Sequence, residues 1–204
     1  INMERLRWIN VEGDSYIQIN IPSFTLKFHQ PDTTYEFNIL AGKPSTPTPI
    51  LKSAITYFST ASNRKPGRSA TTRKLPVNKE KEYQGNNAAN NYVPQTNAKG
   101  VIYFWLADSH GISLQGTAKA QLAKSKERAV TDGSIRIENG KKFAALLLEK
   151  DNAAIRTKEM FTAVAAAQLK NFMLHTPVPV KITYVTCEMK EGIIITYPDI
   201  YNQD

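Results

Sequence analysis

One cysteine in 204 residues forbids an internal disulfide and any thiolate metal cluster. The three histidines, His29, His110 and His175, are scattered without ligand spacing, which argues against a zinc site, and no cofactor motif is present. No apolar run approaches the ~20 residues that span a bilayer. No charged segment precedes an apolar one at the N-terminus, so this numbering shows no signal peptide. The chain begins at Ile1 and reads as a mature form or the C-terminal piece of a longer protein, which leaves export open. Aromatics are scarce where charge is densest. Seven basic residues (Arg64, Lys65, Arg68, Arg73, Lys74, Lys79 and Lys81) stand against Glu80 and Glu82, and this segment supplies +5 of the net +8. Only Tyr83 is nearby, so the alternation of bases and aromatics that a nucleic-acid groove needs is missing. The segment reads as a basic low-complexity loop at about 60–98, solvated and mobile, or else as a contact for an anionic polymer or membrane surface.

What is present suits one soluble domain over residues 1–204, with 41% hydrophobic and 22% charged residues and length enough for a core. Period-two stretches open the chain: Tyr16 to Ile21, Phe24 to His29 and Tyr35 to Gly42, separated by Pro22-Ser23 and Pro31-Asp32. They predict a β-meander. Gly42 to Pro49 carries three prolines and is excluded from a central strand. Ser53 to Ser59, Gly100 to Ala107 and Gly111 to Gly116 predict further strands. Thr117 to Arg128, Lys141 to Lys150 and Thr157 to Leu174 predict helices, the last with Thr157 as N-cap. The closing stretches predict a hairpin around Glu191-Gly192, with Cys187 as a strand residue and not a nucleophile. The fold class expected is α+β, mainly β.

The stretch "VTDGSIRIEN", Val130 to Asn139, reads as a tight turn at Asp132-Gly133 running into a short strand. It follows "SLQGT", Ser113 to Thr117. With "NMERLRW" (Asn2 to Trp8), "INIPSFTLKF" (Ile19 to Phe28), "GKPSTPTP", "NAKGVIYFWLADSHGISLQGT", "TPVPVKITYVTCEM" and "PDIYNQD", these segments resemble the catalytic domain of L,D-transpeptidases of the YkuD type. The similarity is greatest to the large murein enzymes and covers about residues 2–57 and 97–204. It implies a β-sandwich or sheet domain with flanking helices, in the periplasm or cell envelope. It implies peptidoglycan stem peptides as the ligand class and cell wall biogenesis as the setting. The family's Trp-x-x-Pro segment has no counterpart between Ala61 and Thr96.

The resemblance also implies a chemistry. A cysteine attacks the L,D-peptide bond, the terminal D-alanine leaves, and an amine from a neighbouring stem resolves the acyl-enzyme. That needs a thiolate, a base in reach and oxyanion donors. The family pattern is His-Gly-Thr-like, then Ser/Thr-His-Gly-Cys-apolar-Arg. Here the first reads Gln115-Gly116-Thr117 and the second Thr131-Asp132-Gly133-Ser134-Ile135-Arg136. Ser134 stands at the nucleophile position, Gln115 at the base position and Asp132 at the second histidine position. Three joint departures point to natural degeneration, a pseudoenzyme. Gly116, Thr117, Gly133 and Arg136 are the expected substrate-binding positions; Arg136 would support the old site or hold a carboxylate, or else form a structural ion pair. Gln115 cannot titrate, and His110, five positions before it, faces the other side of a regular strand. The expected function is a catalytically inactive domain that binds stem peptides or a cell-wall protein, with no nucleic acid and no transmembrane segment. The alternatives are an acyl-transfer enzyme using Ser134 and a scaffold acting through the basic loop.

Overall fold

The computed structural model describes residues 14–60, 102–108, 112–117 and 127–204. The three opening stretches form β1 (Tyr16–Asn20), β2 (Thr25–His29) and β3 (Thr34–Gly42). They pair antiparallel in sequence, Ile19 with Leu26 and Thr25 with Asn38, as the meander predicts. Then come β4 (Leu51–Thr60), β5 (Ile102–Leu106), β6 (Leu114–Thr117), β7 (Ala129–Thr131) and β8 (Ile135–Glu138). Helix α1 (Gly140–Lys150) and helix α2 (Arg156–Ala165) follow, then β9 (Asn171–Thr183), β10 (Cys187–Lys190) and β11 (Ile193–Thr196). The fold is mainly β, as expected.

Nine strands form one sheet in the order β2-β1-β9-β4-β5-β6-β8-β3-β7, and β3 pairs back onto β2. That pairing closes eight strands into a barrel-like sandwich with β7 outside the ring. Closure removes the open edges of those eight strands, which a sheet otherwise has to shield. Alternation decides what faces inward. On β8, Ile135 and Ile137 are fully buried while Arg136 between them is exposed. The core is aromatic at its centre: the Phe143 ring of α1 meets Phe28, Phe37 and Phe104 at 6.1, 5.4 and 4.8 Å. Phe143, Ala144, Leu147 and Leu148 are all fully buried, so α1 is a core helix.

Helix α1 lies against the sheet at one unusually close point. A Cβ on Gly140 would stand 2.2 Å from Gly116 Cα, and one on Gly116 would stand 2.7 Å from Gly140 Cα. Only two glycines permit this crossing. At its other end, the carboxylate of Asp151 accepts the backbone N–H of His175 at 2.9 Å and of Thr176 at 3.0 Å. It thereby fastens the helix end to β9, where the register with β4 shifts.

Two sequence expectations are corrected here. The second helix was expected to run from Thr157 to Leu174, but it ends at Ala165. Ala167 takes a left-handed conformation, φ 48°, and the N–H groups of Ala167 and Gln168 bond back to Val164 and Ala163. That is a Schellman stop made by alanine instead of glycine. Beyond it, residues 171–183 are strand: Phe172 and Leu174 are buried while Asn171 and Met173 are exposed, a period of two. The N-cap is Ile155, and Thr157 lies inside the helix. The expected helix from Thr117 to Arg128 and the basic loop at 60–98 fall largely outside the described residues.

Candidate functional site

The turn at residues 131–134 sits between two strands and under the proline loop. Gly133 adopts φ 85°, a left-handed conformation that costs glycine little. Ile135 N–H then bonds to Ser113 O at 2.9 Å, which starts β8 beside β6. These two strands run parallel, with Leu114 opposite Ile135, Gln115 opposite Arg136 and Gly116 opposite Ile137. Ile135 and Ile137 point into the core, so Arg136 is on the outer face, and Ser134 shares that parity. Pairing also sets Gln115 beside Tyr103 of β5, and Leu40 of β3 beside Arg136. One cross-strand row therefore reads Leu40, Arg136, Gln115, Tyr103. The fold brings Ser134, Gln115 and Arg136 to one face, although Gln115 and Ser134 are nineteen positions apart in the chain.

Each predicted site residue now has a place. Ser134 is half-buried, and its carbonyl accepts the Thr131 hydroxyl at 2.5 Å. No hydrogen bond reaches its own hydroxyl from any described residue. The Gln115 amide donates to Ser113 Oγ at 3.0 Å. Asp132 is exposed and forms an ion pair with Lys43 at 2.9 Å. The hydrogen bond and charge of Lys43 hold its pKa below the ordinary carboxylate value. Its carboxylate thus engages the proline loop. Thr117 Oγ1 donates to Ile137 O at 3.3 Å. Gly116 faces inward against Gly140. Arg136 is exposed and has no ion-pair partner among the described residues. His110 lies outside the described residues. Cys187 lies half-buried in β10.

Sequence reasoning missed what holds this turn in place. The proline loop is stitched to it by backbone and side chain. Lys43 N–H bonds to Thr131 O at 3.0 Å, and Thr46 Oγ1 reaches the same oxygen at 3.3 Å. Thr48, 3% exposed, donates its hydroxyl to Gly133 O at 3.1 Å and accepts Gly42 N–H at 2.9 Å. Tyr201 then braces the loop: its hydroxyl donates to Gly42 O at 2.6 Å and accepts Thr48 N–H at 3.2 Å. Tyr201 N–H bonds to the Tyr184 hydroxyl at 2.8 Å, which in turn donates to Asp199 at 2.5 Å. The Tyr184 bond, with the N–H groups of Gln203 and Asp204, holds the Asp199 pKa at about 2. A chain of hydrogen bonds thus runs from the C-terminal tail to the carbonyl beside Ser134. No spacing rule exposes it, because Thr48 and Gly133 are 85 positions apart.

A family model of the YkuD L,D-transpeptidase catalytic domain matches residues 14–179. The chain belongs to this family. A curated relative from Haemophilus influenzae, named "Putative L,D-transpeptidase", is 26% identical over 234 aligned positions. The alignment takes in all of this chain and 47% of the relative, so the chain spans about half that protein's length. Two solved structures share the overall likeness. One is a cysteine-to-serine mutant of the Enterococcus faecium L,D-transpeptidase, 17% identical, TM-score 0.38, covering 84% of this chain and 50% of that one. The other is the Ldtfm–avibactam carbamoyl enzyme, 15% identical, TM-score 0.40, covering 84% and 49%. No residue correspondence follows from likeness this distant. The family acts on peptidoglycan. Among the described residues no helix is long and apolar enough to cross a membrane, and no cluster of His, Cys, Asp or Glu is arranged to hold a metal ion.

Proposed function

We propose that this chain is a catalytically degenerate L,D-transpeptidase domain of the bacterial envelope, which binds peptidoglycan stem peptides without cleaving or joining them. One observation carries the reading. Ser134, at the nucleophile position of the motif, shares its face with a neutral amide at the base position, and the acid at the second histidine position is committed to Lys43. A serine hydroxyl attacks a carbonyl only when a base accepts its proton. Gln115 has no titratable proton, and an ionised carboxylate paired with an ammonium is a poor acceptor. The glycine turn, the parallel pair β6–β8 and the outward Arg136, which has no ion-pair partner among the described residues, support a frame that could present a peptide and meet a stem carboxylate. Binding therefore survives where the chemistry does not.

The test has two arms. Titrating the folded chain with a tetrapeptide stem by calorimetry should give saturable heat that Arg136→Ala weakens; no heat removes the stem-binding reading. Incubation with stems or a carbapenem should give neither turnover nor a mass increase. Ser134→Cys alone should stay inert, because among the described residues of that face the base position holds a neutral amide, Gln115, that accepts no proton. The triple change Gln115→His, Asp132→His, Ser134→Cys should acquire a carbapenem adduct, strongly non-additively. Turnover by the unaltered chain that Ser134→Ala abolishes would refute the inactivity.

A further inference from the structure

Strand β8 carries charge on its outer face beyond Ser134. Ser134, Arg136 and Glu138 share one parity, because Ile135 and Ile137 between them are fully buried. Successive members of that row stand about 6.5–7 Å apart along the strand. Arg136 is exposed and Glu138 half-buried. Neither belongs to an ion pair among the described residues.

Glu138 is nonetheless held. Asn38 of β3 lies beside it when the β3–β8 register is extended by one residue, and its Nδ2 donates to Glu138 Oε2 at 2.6 Å. The carbonyl oxygen of the same amide accepts Arg128 Nη1 at 3.0 Å. A neutral amide therefore stands between Arg128 and Glu138. On the other side β6 sets Thr117 opposite Glu138, and the Thr117 hydroxyl is turned to Ile137 O. The row Asn38, Glu138, Thr117 contains no cation. One carboxylate oxygen is fixed by Asn38, and the other has no hydrogen-bond partner among the described residues. A bridge serving stability alone gains nothing from the negative charge, since a glutamine would accept the same bond. On a chain of net +8, this oriented carboxylate is a local exception that suits a ligand's ammonium.

We infer that Glu138 receives the side-chain ammonium of a peptidoglycan stem whose carboxylate lies on Arg136. The inference rests on the stem-binding reading and names which stems the site takes. The amine is the one that resolves the acyl-enzyme in the family's reaction, so a cross-link consumes it. Once acylated, it is an uncharged amide. A free ammonium gives Glu138 charge-assisted hydrogen bonds, whereas the amide offers a single neutral N–H and brings an acyl group that has to find room. Glu138 lies two pleats from Ser134, about 13–14 Å along the strand, so this amine is a recognition mark and not an attacking group. The chain thereby binds stems that are not yet cross-linked in preference to those that are. In a domain without the chemistry, that preference makes it a reader of un-cross-linked wall.

Calorimetry of the whole chain at low salt tests it with two soluble ligands: a tetrapeptide stem with a free side-chain amine, and the same stem acetylated there. The free-amine stem should bind about fivefold tighter, the upper range for a partly exposed ion pair. Glu138→Gln should bring it down to the affinity of the acetylated stem, whose own binding should not change. Thermal melts of the altered and unaltered chains should coincide, because glutamine still accepts the Asn38 bond. Asn38→Lys, which puts an ammonium beside Glu138 from an exposed position, should erase the preference independently. Equal affinity for both stems, weakened alike by Arg136→Ala, overturns the inference and leaves stem binding standing. A preference that survives Glu138→Gln and Asn38→Lys overturns it as well. If neither stem gives heat, the stem-binding reading fails and this inference fails with it.

Discussion

Thr48→Val tests whether the proline loop positions the turn at Ser134. Valine fills nearly the same volume at a site only 3% exposed, so packing changes little. What disappears is the hydroxyl, and with it two hydrogen bonds: the donation to Gly133 O and the acceptance from Gly42 N–H. Both glycines are buried, so the freed N–H and carbonyl are shielded from water. A buried polar group left unsatisfied costs about 1–3 kcal/mol, so two cost about 2–4 kcal/mol after partial relaxation. In a domain of this size that is a fall in Tm of about 5–15 °C. Urea unfolding should show a lower midpoint at unchanged slope. Thr48→Ser keeps the hydroxyl and should lose less than about 1 kcal/mol, the small cost of one methyl group. Tyr201→Phe removes the neighbouring bridge, and its effect should combine non-additively with that of Thr48→Val because the two share Gly42. If Thr48→Val unfolds within about 0.5 kcal/mol of the unaltered chain, the backbone alone fixes the turn and the hydroxyl network is incidental.

Two further outcomes follow from the packing and from the carboxylates. Gly140→Ala sets two effects against each other: alanine favours a helix over glycine by about 1 kcal/mol, but its Cβ would lie 2.2 Å from Gly116 Cα, a backbone atom that cannot rotate away. Overpacking of about 1–3 kcal/mol or more should win, and a rise in urea midpoint would refute the close crossing. Burial works to raise the Asp151 pKa, but the N–H groups of His175 and Thr176 and the His175 ring outweigh it and hold it below 3.8; Asp199 is held at about 2. A depressed folded pKa gives stability that is complete above the unfolded value and is lost as pH falls through the folded one. Tm should therefore fall between about pH 4 and pH 2, and Asp151→Asn with Asp199→Asn should flatten that fall. An unchanged slope in melts across this window would show that other carboxylates control acid unfolding.

The strands were legible wherever one face is buried, because period two is then written into the residues: Ile135, Arg136 and Ile137 announce β8 without help. The long helix expected through Leu174 failed for a related reason. Thr157 to Ala167 has helical composition, and the alanine run gives no warning of a stop, since a left-handed alanine makes the cap that glycine usually makes. The period of two in "NFMLH" was available but short, and the preceding helix pattern swallowed it. At the site, local chemistry was readable and geometry was not. Gln115, Asp132 and Ser134 could be placed against the family motif by position alone. The direction in which each points depends on partners far away in sequence: Lys43 draws Asp132 toward the proline loop, and the parallel register of β6 with β8 sets Gln115 opposite Arg136. This difference bears on how such a site decays. On the proposed reading, the positions that changed are Gln115 and Ser134, half-buried, and Asp132, exposed, where substitution costs the fold little. Thr48, Tyr201 and the Gly116–Gly140 crossing are buried and bonded to several elements at once, so their loss would cost the fold itself. A cleft can therefore lose its nucleophile and keep its shape, which is the condition a binding function needs.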